Sequence, residues 1–377
     1  MSPATVPAID HASRVASLTE RLPLGNGCDA IVLLDPIDVR WLTGFTGSTS
    51  WVVISHDELV LGTDGRYADR ARQETAGCGA RVVVEQRRGR LDERLIEAAS
   101  RASRVALDPT TTSHARWGEL AGALSPEPTP SLVALQRQVK DDAEIARIEA
   151  AARAAEAALA DVEPLLLATV DEPMTEHDVR TELEYRMRLH GADDRAYDTI
   201  VASGPEHAAR PHHGAGRRTI VAGDAVIVDV GALVDGYRSD MTRSWVIAGA
   251  TDAQRELHDL VVEAQRAGLD AVRDGATAAS VDAACREVVE REGRIGWYLH
   301  GAGHGVGLEI HEPPFHAPAS EEVLASGMVV TVEPGLYRDG VGGVRIEDLV
   351  VVTESGHRVL THSPKRPLPS AGAAEQP

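Results

Sequence analysis

The sequence predicts an α/β domain followed by an α+β domain within one chain of 377 residues. In the first part of the chain, β-rich apolar runs alternate with helical patterns, as in α/β domains. The Pro-rich segment 125–130 interrupts this alternation, and beyond it strands and helices are partly segregated. We therefore predict an N-terminal domain over 1–138, a second domain over 139–362 and a disordered tail over 363–377.

The elements of the first domain follow from local hydrophobic patterns. Apolar runs rich in β-branched residues predict strands at 29–34, 51–54, 59–61, 81–84 and 105–107. Helical patterns lie between and after them, at 67–74, 91–99 and 115–124.

The second domain begins with a long helical pattern. Asp141 and Asp142 favour its N-terminal end, and Ala-rich sequence continues to about residue 159, with Pro164 ending or kinking the helix. Further helices are predicted at 176–189, 252–273 and 280–292, and strands at 199–202, 225–233, 237–247, 328–333 and 344–352.

Composition excludes several classes of protein. The 58 acidic side chains outnumber the 38 basic ones, and the net charge of −20 repels phosphate backbones, so we expect no nucleic-acid partner. No apolar run reaches membrane-spanning length and no secretory signal is visible, so we expect no membrane partner. The three cysteines are far apart and odd in number, which excludes a disulfide scaffold and fits a cytoplasmic location.

A pair of carboxylates lies near a predicted hairpin turn. Asp235-Gly236 between apolar runs is a strong signal for a two-residue turn, which would place Asp229 opposite Thr242. Asp240 then shares a sheet face with Asp229, with side chains within about 7–8 Å. Two solvated aspartates are the ordinary alternative, but Asp229 lies in a run that looks buried, and a buried carboxylate needs a partner.

Histidines and glutamates follow in two further segments. The glycines of 300–311 permit close backbone approach, so its three histidines can reach one cavity; their spacing is not that of a helical HExxH zinc site. A hairpin centred near Gly340 would place Glu333 opposite Glu347. Glu is unfavourable in a strand without a reason, and the flanking Val and Ile argue against an exposed edge strand.

These residues together predict a dinuclear metal site. Four carboxylates balance two divalent cations, whereas one cation would leave buried negative charge uncompensated. Oxygen-rich ligation with one imidazole suits Mn, Co or Zn. The candidate ligands are Asp229, Asp240, His304, Glu333 and Glu347.

The segments that carry these residues resemble one family. Val-Asp-Val-Gly at 228–231, Ser-Asp-Met-Thr-Arg at 239–243, Gly-His-Gly-Val-Gly-Leu-Glu-Ile-His-Glu at 303–312, Thr-Val-Glu-Pro-Gly at 331–335 and Gly-Gly-Val-Arg-Ile-Glu-Asp at 342–348 resemble the pita-bread metallopeptidases. Within them the sequence is similar to the Xaa-Pro peptidases, aminopeptidase P and prolidase. Segments 41–48 and 63–67 resemble their creatinase-like N-terminal domain, and 139–146 resembles the start of their catalytic domain, so the resemblance covers about residues 25–360.

The resemblance implies a mechanism and a role for each site residue. The five ligands would hold two divalent ions, Mn before Co or Zn, and the hydroxide that bridges them would attack the carbonyl of the Xaa-Pro bond. Glu333 would act as general base, and His311 would stabilise the tetrahedral intermediate. His212, whose neighbour His213 is easily confused with it, would contact the substrate. Further residues would line the substrate pocket (His300 and Phe315) or orient the ligand carboxylates (Thr242, Arg243 and Arg345).

Substrate specificity within the family is less constrained. An apolar slot would favour the proline ring, and its candidate residues are Trp297, Tyr298, Phe315 and Tyr337. Prolidases commonly have an Arg at the position of Phe315, where it meets a dipeptide's carboxylate, so we predict an aminopeptidase that acts on peptides with proline second. Arg338 or an Arg of a partner subunit could substitute, which leaves prolidase open. Similar enzymes are often dimers, and we expect a homodimer.

Other classes compete with this hypothesis. A methionine aminopeptidase shares the ligand set but does not need the N-terminal domain, and creatinase has both domains but does not use the metal pair. Small-molecule hydrolases or lyases on the same scaffold remain open because a fold does not fix its substrate. A binding protein with a retired site would be expected to have lost ligands, and none is lost here.

Overall fold

A computed structural model describes residues 6–366 and 368, which divide into two compact units. Residues 8–137 form the N-terminal unit, and the other described residues form the C-terminal unit. The first is an α/β domain around one mixed sheet, and the second combines helices with antiparallel sheets, so the predicted fold class is confirmed. None of the described helices is long and apolar enough to cross a membrane.

The elements of the N-terminal unit alternate along the chain. In order, they are α1 (His11–Thr19), β1 (Ala30–Leu33), α2 (Pro36–Thr43), β2 (Ser50–Ser55), β3 (Leu59–Asp64), α3 (Ala68–Glu74), β4 (Arg81–Glu85), α4 (Leu91–Ala99), β5 (Val105–Leu107), α5 (His114–Leu124), β6 (Glu127–Pro128) and α6 (Leu132–Arg137). Short 3₁₀ turns cover Gly65–Tyr67 and Arg88–Arg90. The sheet order is β4-β3-β2-β1-β5-β6, with β1 antiparallel to β2 and parallel to β5.

Every predicted strand and helix of this unit is present, but α1, α2, α6 and β6 were not predicted. Helix α2 has clear local signals. Asp35 accepts a hydrogen bond from the Ile37 N–H at 2.7 Å, Pro36 occupies the first turn, and Gly44 ends the helix at φ 80°. These capping signals did not enter the helix predictions.

The C-terminal unit contains the remaining elements. They are α7 (Asp142–Leu167), α8 (Glu176–Leu189), β7 (Asp194–Arg195), β8 (Ile200–Ser203), α9 (Gly204–His207), β9 (Ala225–Asp229), β10 (Ala232–Val234), β11 (Tyr237–Arg238), β12 (Thr242–Val246), α10 (Asp252–Ala271), α11 (Ala278–Arg291), β13 (Gly303–Gly305), β14 (Glu312–His316), β15 (Val329–Val332), β16 (Gly335–Arg338), β17 (Gly342–Arg345), β18 (Asp348–Thr353) and β19 (Gly356–Val359). A 3₁₀ turn covers Ile295–Trp297.

Helix α7 is longer than predicted. Asp141 and Glu144 form a reciprocal capping box at its start, as the acidic residues there suggested. The helix runs through Pro164 to Leu167, so it does not end at the proline, where we predicted an end or a kink. Pro164 lies in the last turn, where its missing N–H removes a single helical hydrogen bond.

Two helix pairs cover the sheets of this unit and enclose separate cores. Helices α7 and α8 pack on the strands around β9, with Ala155, Leu183 and Val228 fully or almost fully buried. Helices α10 and α11 pack on the sheet that contains β15 and β18. In both cores, small and branched aliphatic side chains fill the space, in keeping with the scarcity of Phe.

The predicted long strands are interrupted where they pass the candidate site. The runs 225–233 and 237–247 each form two strands, because 230–231 and 239–241 leave the ladder. A side chain at Gly231 would place its Cβ 2.0 Å from the Ser239 carbonyl oxygen, so the chains cross there only with glycine. The run 344–352 is interrupted at 346–347, where the Glu347 N–H donates to the Thr242 carbonyl at 3.1 Å. These three predictions are correct that the segments form strands and wrong that each segment is one continuous strand.

Residues 367 and 369–377 of the predicted disordered tail lie outside the described residues. The preceding segment packs on the C-terminal unit: the Ser363 carbonyl accepts from Arg243 Nη2 at 2.7 Å, and Lys365 Nζ donates to Gln265 at 2.8 Å.

Candidate metal centre

Asp229 and Asp240 face one point at the interruption of the first hairpin. Asp229 is the last residue of β9 and pairs with Thr242, so the register predicted from the Asp235-Gly236 turn is confirmed. Asp240 lies between β11 and β12. The hydroxyl of Tyr197 contacts one oxygen of each carboxylate, which brings the two acidic groups together.

Glu333 and Glu347 approach the same point from a second hairpin. The ladders on either side of them, β15–β18 and β16–β17, share the register of the hairpin predicted near Gly340. The Glu347 carboxylate accepts a hydrogen bond from the Thr242 hydroxyl at 2.7 Å. This bond and the backbone bond between the same residues join the second hairpin to the first.

His304 completes the group from β13. Its Nδ1 lies 3.0 Å from the Gly305 carbonyl oxygen, to which only a protonated nitrogen can donate. In the neutral tautomer with the proton on Nδ1, Nε2 presents a lone pair, 3.6 Å from an Asp240 oxygen and 3.5 Å from a Glu333 oxygen. A lone pair among carboxylate oxygens is unfavourable unless a cation lies between them.

The carboxylates lie in a poorly hydrated environment with little positive charge. Burial raises the pKa of Asp240 and of Glu347 well above the usual values, and the negative charge of neighbouring carboxylates raises both further. The guanidinium of Arg345 donates to Asp229 at 2.6 Å and is almost fully buried. One guanidinium cannot balance four carboxylates, so the group has an excess of negative charge, which bound metal cations would neutralise.

All five candidate ligands line one cavity of about 610 Å³. The other predicted residues in its wall are His212, His300, His311, Phe315 and Arg345. Among the described residues that line it, Arg345 is the only Lys or Arg. The cavity is large enough for a short peptide, and Phe315 in its wall is 43% exposed.

Three further histidines of the cavity wall lie near the acidic group. The ring of His311 packs edge-on against that of His304, with centroids 4.4 Å apart. Burial lowers the pKa of His311 and of His300 below the usual value, which favours the neutral form of both rings. His300 Nε2 lies 2.9 Å from the Tyr337 hydroxyl, and His212 lines the cavity from the loop that follows α9.

The predicted orienting residues divide into two groups. Thr242 and Arg345 both hydrogen-bond a carboxylate of the acidic group, and Arg345 Nε also donates to Thr242 Oγ1 at 3.1 Å. Arg243 lies behind them: it donates to the Glu347 carbonyl at 2.5 Å and to the Asp348 carboxylate at 2.8 Å. Arg243 thus acts on the backbone of the second hairpin rather than on a candidate ligand's carboxylate.

Of the four residues predicted for a proline slot, only Phe315 lies in the described cavity wall. The Tyr337 hydroxyl accepts from Arg345 Nη1 at 2.8 Å and lies behind the wall. Trp297 stacks with Arg294 and Arg338, at 4.7 and 4.8 Å from its ring centroid. Tyr298 is buried in the core of the α10–α11 pair.

Among the residues of the cavity wall that were not predicted, Tyr197 and His316 are polar and buried or in contact with the candidate ligands. Tyr197 links the aspartates, and His316 is fully buried beside Phe315, with no hydrogen bond of good geometry to either ring nitrogen among the described residues. Burial lowers the pKa of His316 to about 4. Tyr197 lies in a polar stretch without periodicity, so no local signal distinguishes it. The alternation of β14 places His316 on the inward face, but β14 itself was not predicted.

The donor set fits a divalent metal. Asp240, His304 and Glu347 each place one ligand atom within 4.8 Å of the others, and all three are buried. Carboxylate oxygens with one neutral imidazole are ligands of Mn, Co and Zn. Asp229 and Glu333 lie beside this trio, within reach of the Tyr197 hydroxyl and of His304 respectively.

Comparisons with known proteins agree with this geometry. Residues 146–354 match the model of metallopeptidase family M24, and residues 14–139 match the creatinase/prolidase N-terminal domain. The chain is 33% identical to a Xaa-Pro dipeptidase of Pyrococcus furiosus over 91% of this chain and 96% of the relative. Among solved structures, it resembles a Xaa-Pro dipeptidase from Bacillus anthracis (34% identity, TM-score 0.87, 94% of this chain and 98% of that chain) and an X-Pro aminopeptidase from Thermotoga maritima (32% identity, TM-score 0.82, 93% and 98%).

Two hairpins and β13 thus bring four carboxylates and a histidine together, and family matches cover most of the sequence. The chain belongs to metallopeptidase family M24.

Proposed function

We propose that the protein removes the N-terminal residue from peptides whose second residue is proline, as an Xaa-Pro aminopeptidase. The observation that carries the proposal is the convergence of Asp229, Asp240, His304, Glu333 and Glu347 on one cavity. Relatives named for Xaa-Pro bonds, over nearly the whole length of the chain, support the substrate class.

The five converging residues would hold two divalent ions, Mn before Co or Zn, because their four carboxylates match the charge of two such cations. When bound, a metal pair of this kind supplies hydroxide near neutral pH and polarises a carbonyl group. Tyr197, Thr242 and Arg345 keep the carboxylates in place through their hydrogen bonds.

The remaining residues act on the substrate and its protons. Glu333 lies at the cavity surface and can take the proton of the attacking water as general base. His311, whose neutral form is favoured by burial, can donate a ring N–H to the developing oxyanion. His212 and His300 lie in the same wall, where they can contact the backbone of the substrate, and Phe315 can pack against its apolar part.

The choice of an aminopeptidase over a dipeptidase rests on the charged residues of the cavity wall. A free dipeptide ends in a carboxylate next to the proline ring, and a dipeptidase gains by pairing it with a cation. Among the described lining residues, only Arg345 is cationic, and its four hydrogen bonds to protein groups occupy it. Arg338, the substitute considered from sequence, stacks on Trp297 outside the wall.

An Xaa-Pro dipeptidase is the second candidate, because relatives with that name match nearly the full chain. The test compares hydrolysis of Ala-Pro, Ala-Pro-Ala and Ala-Ala-Ala at equal metal loading. We expect Ala-Pro-Ala to have the highest kcat/KM and Ala-Ala-Ala to be inert. A strict preference for Ala-Pro would overturn the aminopeptidase assignment, and cleavage of Ala-Ala-Ala would overturn the proline requirement.

Two further predictions belong to this proposal. We expect a homodimer, which light scattering of the purified protein measures, and a cytoplasmic enzyme, which fractionation of the producing cells tests. A monomer of about 40 kDa in solution would contradict the first.

A further inference from the structure

A second group of ligand-type side chains lies outside the cavity wall. Glu176, His207 and His213 each place one ligand atom within 4.8 Å of the others. None of the three is among the described residues that line the cavity. They come from three elements: the first turn of α8, the end of α9 and the loop that follows α9.

The carboxylate of Glu176 is fully buried and fixed in orientation. One oxygen accepts from the Ser203 N–H and hydroxyl, both at 2.7 Å, and the other accepts from the Gly216 N–H at 2.9 Å. These donors hold the carboxylate before any ligand arrives, as the outer hydrogen bonds of protein metal sites do. Arg218 does not neutralise it directly, because its guanidinium donates to Ser203 Oγ and is paired with Asp224.

The two imidazoles lie next to this carboxylate. His207 Nδ1 is 2.9 and 3.0 Å from the two Glu176 oxygens, and the rings of His207 and His213 have centroids 4.0 Å apart. His207 is partly exposed, so the group is accessible to solvent ions. Two imidazoles and one carboxylate form the protein donor set of three-ligand zinc sites; Ca²⁺ and Mg²⁺ prefer oxygen alone.

We propose that Glu176, His207 and His213 bind one divalent cation of the Zn²⁺ class, in a third metal site separate from the acidic group at the cavity. Binding through His207 Nδ1 moves the ring proton to Nε2 and replaces the present hydrogen bond to Glu176 with two bonds to the cation. Small side-chain movements bring ligand atoms within 4.8 Å to the roughly 3.3 Å separation of neighbouring ligands in a tetrahedral site.

The position of this site in the chain gives it a consequence for the cavity. His207 and His213 flank the segment that brings Pro211 and His212 to the cavity wall. The other side of that segment is held by Arg345 Nη1, which donates to the Pro211 carbonyl at 2.9 Å. A cation at the third site therefore fixes both ends of the segment that carries His212.

The test counts zinc in full-length protein equilibrated with low micromolar free Zn²⁺ and then separated from free metal. His207→Asn keeps a side-chain N–H that can donate to Glu176 but removes the imidazole ligand, and His213→Asn removes the other. The matched control is His177→Asn, which replaces an exposed histidine next to Glu176. Circular dichroism confirms that each protein is folded.

We expect wild type and His177→Asn to bind about one equivalent more than either His207→Asn or His213→Asn. An Asp240→Asn/Glu347→Gln double variant should keep that equivalent while it loses the zinc of the acidic group. The zinc count thus distinguishes this site from the proposed catalytic centre, because the histidine variants and the double variant lose different equivalents of zinc. Equal zinc content in wild type and both histidine variants would overturn the proposal and leave a hydrogen-bonded cluster without a metal.

Discussion

Arg345 donates a hydrogen bond to the carboxylate of Asp229 at 2.6 Å although the two residues are far apart in sequence. The same guanidinium contacts Thr242, Tyr337 and the Pro211 carbonyl, at distances of 2.8 to 3.1 Å. This one planar group therefore links the first hairpin, the second hairpin and the loop that carries His212. The rigid fork of arginine makes this possible, since lysine offers one ammonium group instead.

Arg345→Lys should lower kcat/KM for an Xaa-Pro substrate by about 10- to 100-fold, the usual cost of losing a residue that orients a metal ligand. The reason is that lysine cannot hold Asp229 and the other three partners together. Steady-state kinetics at saturating Mn²⁺ measure the effect. Arg338→Lys, which changes an exposed arginine outside the cavity wall, is the control. Equal kcat/KM for the two variants would show that Arg345 does not position Asp229.

Tyr197→Phe should destabilise the metal-free protein more than the metal-loaded protein. In the metal-free state the hydroxyl contacts both aspartates and can donate its one proton to either of them, and its loss leaves a buried acceptor unpaired at a cost of about 1–3 kcal/mol. Bound cations would replace this donor. Urea unfolding of both proteins, with chelator and with Mn²⁺, gives the four free energies of unfolding. The same loss in both conditions would mean that Tyr197 and the metals do not share the aspartates.

His304→Ala should abolish peptidase activity, by more than about 100-fold in kcat/KM, and leave the fold intact. The change removes the only imidazole among the five proposed ligands. Activity assays, metal analysis and circular dichroism together measure it, with the exposed His114→Ala in the N-terminal unit as the control. Retained activity in a folded His304→Ala protein refutes the ligand assignment.

His316→Leu should weaken the pH dependence of stability. Burial lowers the pKa of His316 to about 4, below its value in an unfolded chain. The unfolded state therefore binds more protons between about pH 6.5 and pH 4, so the contribution of neutral His316 is complete above that range and is lost as pH falls. The expected loss from pH 7 to pH 5 is about 2 kcal/mol for this group.

The measurement compares the free energy of unfolding of metal-free wild type and His316→Leu at both pH values. Other titrating groups affect the two proteins alike, so the difference isolates His316. Parallel pH dependence in wild type and variant would show that His316 is not kept neutral by burial.

Much of the candidate site could be predicted because its registers depend on local turns. Asp235 and Gly236 both adopt positive φ, 45° and 81°, as the two-residue turn requires, and this alone sets Asp229 opposite Thr242. The turn near Gly340 similarly sets the ladders on both sides of Glu333 and Glu347. Charge balance then suggests two cations without knowledge of the fold.

Other features could not be predicted because they depend on contacts between distant segments. The interruption at Gly231 is required by the approach of Ser239 and Tyr197, which local alternation does not reveal. Tyr197 contacts the aspartates because β7 and β8, on either side of it in the chain, pair with strands of the first hairpin. The short helix α2, in contrast, has capping signals in the sequence at Asp35, Pro36 and Gly44, which the helix predictions did not use.

The most direct test of the central claim is metal content measured together with activity. Protein depleted of metal is titrated with Mn²⁺, which prefers oxygen ligands, and bound metal and Xaa-Pro hydrolysis are followed in the same samples. We predict that activity rises as about two equivalents bind to wild type. An Asp240→Asn/Glu347→Gln variant should neither bind these equivalents nor gain activity. Full activity in metal-free protein, or tight binding of two equivalents by the variant, would contradict the account.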